Sequence, residues 1–264
     1  GQTNEGRAFV YHGSAIGLSF SPNWTAESDQ ADAVFGISVS TAGDVNGDGY
    51  SDVIVGAFYY DNGQINDGRA FVYHGSASGL SAIANRTVES NQEGANFGIS
   101  VSTAGDVNGD GYSDVIIGAN LYDNGDFGEG RAFVYHGSAS GLSATANRTV
   151  ESNQAHAHFG ISVSTAGDVN GDGYSDVIIG AYLYDNDDFD EGRAFVYRGS
   201  ATGILAPAVW TAESVQDYAY FGFSVSTAGD VNGDGYSDVI VGAFSYVYND
   251  GREGRAFVYY GNSG

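Results

Sequence analysis

A nine-residue stretch, Asp44-Val-Asn46-Gly-Asp48-Gly-Tyr50-Ser-Asp52, gathers the side chains best suited to hold an ion. Oxygen-bearing side chains stand at its positions 1, 3, 5 and 9, and Tyr50 at position 7 can offer its backbone carbonyl. Gly49 between them permits the positive-φ turn that folds such a loop around a cation. Three carboxylates, one amide and one carbonyl are all hard oxygen donors. They suit Ca²⁺ at roughly 6–8 coordination, with water completing the shell, whereas Mg²⁺ demands tighter octahedral geometry. The first half of the stretch has the pattern of an EF-hand loop. The second half departs from it, since the last acid falls at position 9 and not 12. An ion-free, Asx-rich hairpin turn is the alternative. Against it, Asp44, Asp48 and Asp52 would repel one another at short range without a cation.

The same stretch returns as Asp106, Asn108, Asp110, Tyr112, Asp114, then as Asp168, Asn170, Asp172, Tyr174, Asp176, and as Asp230, Asn232, Asp234, Tyr236, Asp238. The expectation is about four Ca²⁺, one per repeat. These loops hold twelve of the 33 acidic residues, and four bound Ca²⁺ would take the formal charge from −24 to −16.

The elements that position these loops are read from the period. Ser-Thr-Ala-Gly-Asp-Val-Asn-Gly-Asp-Gly-Tyr-Ser-Asp-Val begins at Ser40, Ser102, Ser164 and Ser226, and Gly-Arg-Ala-Phe-Val-Tyr begins at Gly6, Gly68, Gly130, Gly192 and Gly254. The step is 62 residues throughout. Each repeat predicts four short strands. Phe35-Gly-Ile-Ser-Val-Ser-Thr alternates apolar and small polar residues, as a half-buried strand does. Asp52-Val-Ile-Val-Gly-Ala is a continuous apolar run, as in a strand covered on both faces. Arg69-Ala-Phe-Val-Tyr-His is β-branched and aromatic. Asn85-Arg-Thr-Val-Glu-Ser is the most polar, and so the outer edge. Clusters of Gly, Asn and Asp supply the turns, and no stretch has a helical period. The fold class is therefore all-β, a β-propeller of four-stranded antiparallel blades. A single propeller domain or segment spans residues 1–264. It has an outer half repeat at 1–34, repeats at 35–96, 97–158 and 159–220, and a partial repeat at 221–264.

Composition bounds the function. The chain of 264 residues has no Cys, no Met and no Lys, and all nine basic residues are Arg. No disulfide framework or thiolate metal site is available. A charge of −24 repels nucleic acid and anionic membranes, and no apolar run is long enough to enter a bilayer. The chain begins at Gly1 with no visible signal peptide and is expected to be a processed or excised segment. No catalytic set emerges. There is no thiol, no histidine in a triad context and no phosphate-binding glycine loop before a helix, so an enzyme is not expected.

The residues also resemble a known family. Phe35-Gly36, the acidic loop and Gly56-Ala57 look like the FG-GAP repeat of integrin α-subunit propellers and their bacterial relatives, and the pairs at Phe97/Gly118, Phe159/Gly180 and Phe221/Gly242 repeat the pattern. The residue after Gly-Ala is Phe58, Asn120, Tyr182 or Phe244 and not the family's Pro. The resemblance implies that each loop joins the first two strands of a blade and binds Ca²⁺. It also implies a seven-bladed ring, whereas this chain supplies about four blades.

The expected role is an extracellular, calcium-stabilised structural or adhesion module on a cell surface or in a secreted assembly, with a protein or glycan partner. A self-assembling filament or sheath and a lectin-like propeller are the alternatives. Self-association would run through the terminal half-blades. Asn23, Asn85 and Asn147 head glycosylation sequons on the outer strand. His12, His74 and His136 share a position that becomes Arg198 and Tyr260, which fits an exposed site, and His156-Ala-His158 is a weak transition-metal pair. Two loops diverge between repeats: the stretch before each Phe-Gly, and residues 61–67, 123–129, 185–191 and 246–253. Divergent loops on a uniform scaffold are where ligand contacts belong.

Overall fold

Alternating strands and Asx-Gly turns give each repeat a meandering antiparallel sheet. The computed structural model describes residues 1–186, 188–248 and 251–263. Asp187 and the pair Asn249 and Asp250, parts of two of the divergent loops, lie outside the described residues, as does Gly264.

Sheet one has the spatial order Ser38–Gly43, Asp52–Ala57, Arg69–Tyr73, Arg86–Glu89. Sheet two runs Phe97–Gly105, Asp114–Ala119, Arg131–Tyr135, Arg148–Glu151. Sheet three runs Ser162–Gly167, Asp176–Ala181, Arg193–Tyr197, Trp210–Glu213. Sheet four holds three strands, Phe221–Gly229, Asp238–Ala243 and Arg255–Tyr259. At the N-terminal end Ala8–Val10 pairs with Trp24–Ala26 alone. The molecule is thus all-β, built from the four-stranded antiparallel blades of a propeller, and no helix of the described residues is long and apolar enough to cross a membrane.

The first strand of sheet one begins at Ser38, three residues later than the sequence predicts. Gly36 adopts φ +89°, which turns the chain out of the ladder, and Phe35 instead makes a parallel bridge to Gly6. In sheet two the strand carries through from Phe97, with the register slipping between Gly118 and Ala119. The local kink is the same; only the pairing beyond it differs.

The two glycines of the Phe-Gly and Gly-Ala pairs have one physical cause. A Cβ on Gly118 would lie 1.9 Å from the Gly160 carbonyl oxygen, and one on Gly56 would lie 2.0 Å from that of Gly98. The backbones of consecutive sheets meet there, and only glycine permits the approach.

The core lies between sheets and not within them. Ala42, Val45, Ile54 and Val72 of sheet one meet Phe97, Val101 and Ile117 of sheet two. The corresponding residues, 62 positions on, join sheets two and three, and again three and four. The N-terminal pair covers sheet one through Ala8 and Trp24 against Phe35, Phe71 and Tyr73. Burying one such side chain contributes about 1.5–3 kcal/mol, so each sheet depends on its neighbour.

Candidate metal centres

Each acidic loop joins the first two strands of its sheet, at the end of the sheet that also carries the turn after the third strand. In the first loop, Asp44 Oδ1 accepts the N–H groups of Gly47 (2.7 Å) and Asp48 (3.1 Å), and Oδ2 accepts that of Gly49 (2.8 Å). Asn46 Oδ1 accepts from Asp48 N, Asp48 Oδ1 accepts from Tyr50 N, and Asn46 Nδ2 donates to Asp48 Oδ2. Gly47 and Gly49 adopt φ +72° and +89°. The loops at Asp106, Asp168 and Asp230 repeat these bonds. The side chains of positions 1, 3 and 5 are therefore held together around one turn.

Asp52 stands apart. It is fully buried, and its two oxygens accept the N–H groups of Val45 (2.9 Å) and Gly75 (2.8 Å), tying the loop to the turn after the third strand. Asp114, Asp176 and Asp238 do the same with Val107 and Gly137, Val169 and Gly199, and Val231 and Gly261. Burial pushes the Asp114 carboxyl up to about 7 and that of Asp176 up to about 6, against the opposing pull of those N–H groups. Asp230, by contrast, is held below the usual range by N–H donors, Gly235 foremost.

The donor set fits a hard cation in kind: carboxylate, amide and carbonyl oxygens, of which Asp44 Oδ1 already accepts two N–H groups and Asp44 Oδ2, Asn46 Oδ1 and the Asp48 oxygens one each. Among the described residues, however, no three His, Cys, Asp or Glu side chains converge as a metal-holding group. The position-9 aspartate is engaged by backbone instead.

The loops also clasp one another. Ser113 Oγ accepts the Asp44 N–H, Ser113 N donates to the Asp44 carbonyl, and the Tyr112 ring lies over Gly47. Ser175 repeats the clasp on Asp106, and Ser237 N donates to the Asp168 carbonyl.

Asn23, Asn85 and Asn147 are exposed, immediately before the outer strand, with Oδ1 accepting from the N–H groups of His12, His74 and His136. His12 is exposed, as expected, whereas the other two histidines differ from expectation. His74 and His136 are half-buried, because each packs against the Gly141 or Gly203 turn of the following sheet. His158 Nδ1 lies 3.3 Å from the Tyr182 hydroxyl, and among the described residues no third ligand joins it and His156.

The divergent loops lie together at the opposite end of the sheets. Phe127 meets His156, and Tyr218 N donates to the Phe189 carbonyl. Phe127 and Phe189 share one repeat position and are each 69% exposed.

Two repeated features escaped the sequence reading. Gln92 clamps the next loop, Nε2 donating to the Asp123 carbonyl (2.9 Å) and Oε1 accepting from Asp123 N (2.7 Å), and Gln30, Gln154 and Gln216 repeat it. Glu5, Asp67, Glu129 and Glu191, one residue before the first four Gly-Arg-Ala-Phe stretches, are buried, and burial raises the Asp67 and Glu129 carboxyls. Their signal was present as an acid at the same register position in every repeat.

Comparison with known proteins agrees with this architecture. A family model of the FG-GAP repeat matches residues 35–73, 97–135, 159–197 and 221–259. Integrin alpha-V of Gallus gallus is 34% identical over 224 residues, covering 81% of this chain and 20% of its own length. Integrin alpha-PS2 of Drosophila melanogaster is 34% identical over 229 residues, covering 81% and 15%. Integrin alpha pat-2 of Caenorhabditis elegans is 31% identical over 277 residues, covering 92% and 22%. The chain spans about a fifth of the length of these relatives.

Proposed function

This chain belongs to the FG-GAP repeat family, an integrin alpha-like adhesion or structural propeller module, and from that premise we propose that it is an extracellular, calcium-stabilised recognition scaffold. The exposed phenylalanines carry the reading. Phe127 and Phe189 stand on loops that differ between repeats, at the end of the sheets away from the acidic loops. A fold that buries Phe97, Phe159 and Phe221 completely gains nothing in stability by leaving these two in water, and divergent loops on a uniform scaffold are where a partner's contacts fall. The partner is a protein.

Calcium acts as a brace. Asp44, Asn46, Asp48 and the Tyr50 carbonyl of each repeat hold the ion, with Asp52 as the fifth expected ligand and the anchor of the loop to Gly75. Neutralising clustered carboxylates stiffens the loop that each following sheet clasps. Millimolar calcium places the protein outside the cytosol. Its role is binding and not catalysis. The sequons at Asn23, Asn85 and Asn147 are exposed for glycan attachment.

Beads coated with the protein, tested for adhesion to matrix-coated surfaces in calcium, examine this reading. Adhesion should fall at least several-fold in the Phe127→Ser, Phe189→Ser double variant with the melting temperature unchanged. Undiminished adhesion by a folded double variant would overturn it.

A further inference from the structure

The chain contains six Asn-Gly pairs, and the structure sorts them into two groups. Four lie in the acidic loops, at Asn46, Asn108, Asn170 and Asn232. In each the glycine N–H is already engaged: Gly47, Gly109, Gly171 and Gly233 donate at 2.7 Å to Asp44, Asp106, Asp168 and Asp230. The other two pairs, Asn62-Gly63 and Asn124-Gly125, stand in the divergent loops that carry Ile65 and Phe127. All four of these residues are exposed. Gly63 and Gly125 adopt φ +91° and +109°, and a Cβ on either would meet nothing within 4 Å. Neither glycine N–H has a hydrogen-bond acceptor among the described residues.

The difference bears on covalent chemistry, because the backbone nitrogen that follows an asparagine can attack its side-chain carbonyl. At this site Gly63 N would attack Asn62 Cγ. The N–Cγ bond forms, the Cγ–Nδ2 bond breaks, and ammonia leaves with the proton of the Gly63 N–H. Water then opens the five-membered imide. Cleavage at Cγ leaves aspartate, and cleavage at the backbone carbonyl leaves isoaspartate, with the chain rerouted through Cγ. The net change is one water gained and one ammonia lost. Glycine favours the attack because it puts no side chain in its way. A glycine whose N–H is held by an aspartate cannot turn its nitrogen onto the neighbouring amide carbon without breaking that bond.

Both amides have a structural task that the conversion would end. Asn62 Nδ2 donates to Glu89 Oε1 (2.7 Å) while its N–H donates to Asp67 Oδ1 (3.1 Å), so one residue bridges two carboxylates. Asn124 repeats this with Glu151 (2.8 Å) and Glu129. Asp67 and Glu129 are each 1% exposed, and one oxygen of each is buried with no hydrogen-bond partner among the described residues. The cation of each group, Arg69 or Arg131, already pairs with Glu89 or Glu151. A carboxylate at position 62 or 124 would be the third in its group. It would lose the donor and add repulsion in a partly buried place.

We propose that Asn62 and Asn124 are sites of self-catalysed amide loss, and that the conversion releases the loops at residues 61–67 and 123–129 from the strands behind them. The third repeat supplies an internal control. Asn186 makes the same bond to Glu213 Oε1 (3.0 Å) but is followed in the sequence by Asp187, whose side chain hinders the attack. The chemistry is independent of what the loops recognise.

Peptide mapping by tandem mass spectrometry, on the folded chain held for days in mildly alkaline buffer with calcium, tests the assignment. Asn62 and Asn124 should become mixtures of aspartate and isoaspartate at least ~10-fold faster than Asn186 or the four acidic-loop asparagines. Conversion of all six pairs at one rate overturns it, as does an unchanged Asn62 and Asn124 in the folded chain while the urea-unfolded chain converts. Hydrogen exchange tests the consequence. Backbone amides of 61–67 and 123–129 should exchange several-fold faster in the Asn62→Asp, Asn124→Asp double variant than in Asn62→Ala, Asn124→Ala, which loses the same side-chain bonds without adding charge. Equal exchange in the two overturns the release of the loops by like charge.

Discussion

Within each acidic loop the aspartates divide into two kinds. Asp106 is only half-buried and gathers three loop N–H groups, whereas Asp114 is fully buried and spans Val107 and Gly137. Asp106→Ala should remove one calcium equivalent from a titration while costing only about 1 kcal/mol in chelator. Asp114→Ala strands two buried N–H groups and should cost about 3 kcal/mol with or without calcium, read as a lowered denaturant midpoint. A similar loss from both variants in chelator would contradict this division. The oxygen-donor spacing was legible because a loop pattern is local. The bracing role of position 9 was not, because Gly75 and Gly137 lie 23 residues further on, across two strands. Gly118 is the other residue of this kind. Gly118→Ala drives a Cβ into the Gly160 carbonyl and should abolish soluble folded protein, or cost more than about 4 kcal/mol.

Strands and their loops were legible wherever the residues act within one repeat. The four-strand order, the polar outer strand and the acidic turn all follow from alternation, β-branched content and Asx-Gly clusters. Side-chain stacks within a sheet, and what joins one repeat to the next, were less visible. Arg131 lies between Glu151 on the neighbouring strand and the Tyr122 ring, whose centroid is 4.2 Å away. The period displays each residue but not the stack. Arg131→Ala should cost about 1–2 kcal/mol, and the same change at Arg7, whose side chain is far more exposed, less than about 0.5 kcal/mol. Thermal melting of the two variants checks the ranking. The half-buried His74 and His136 misled for the same reason, since the turn that covers each belongs to the following sheet. His158 provides a pH test. Burial, and the charge of His156, hold its imidazole below the usual value of 6.5. As pH falls below that value the unfolded chain takes up the proton first, so the fold loses stability on acidification. His158→Asn, the residue at this position in the preceding repeat, should flatten the stability profile between about pH 7 and pH 5. An unchanged slope would contradict that role.

The whole molecule is a stack of identical interfaces, and its stability is a sum over neighbours. The period of 62 residues is visible in the sequence by inspection, and with it the all-β class. On the proposed reading, calcium links the scales: one ion per loop, each loop clasped by the next. At about 100 times its dissociation constant each ion adds about 2.7 kcal/mol, so chelation should lower the melting temperature by many degrees. The proposed ions are open to direct measurement. Isothermal titration of the chelator-treated chain with Ca²⁺ should reach saturation at about four equivalents per chain, one per loop. Absence of binding heat, together with a melting temperature indifferent to calcium, would contradict it.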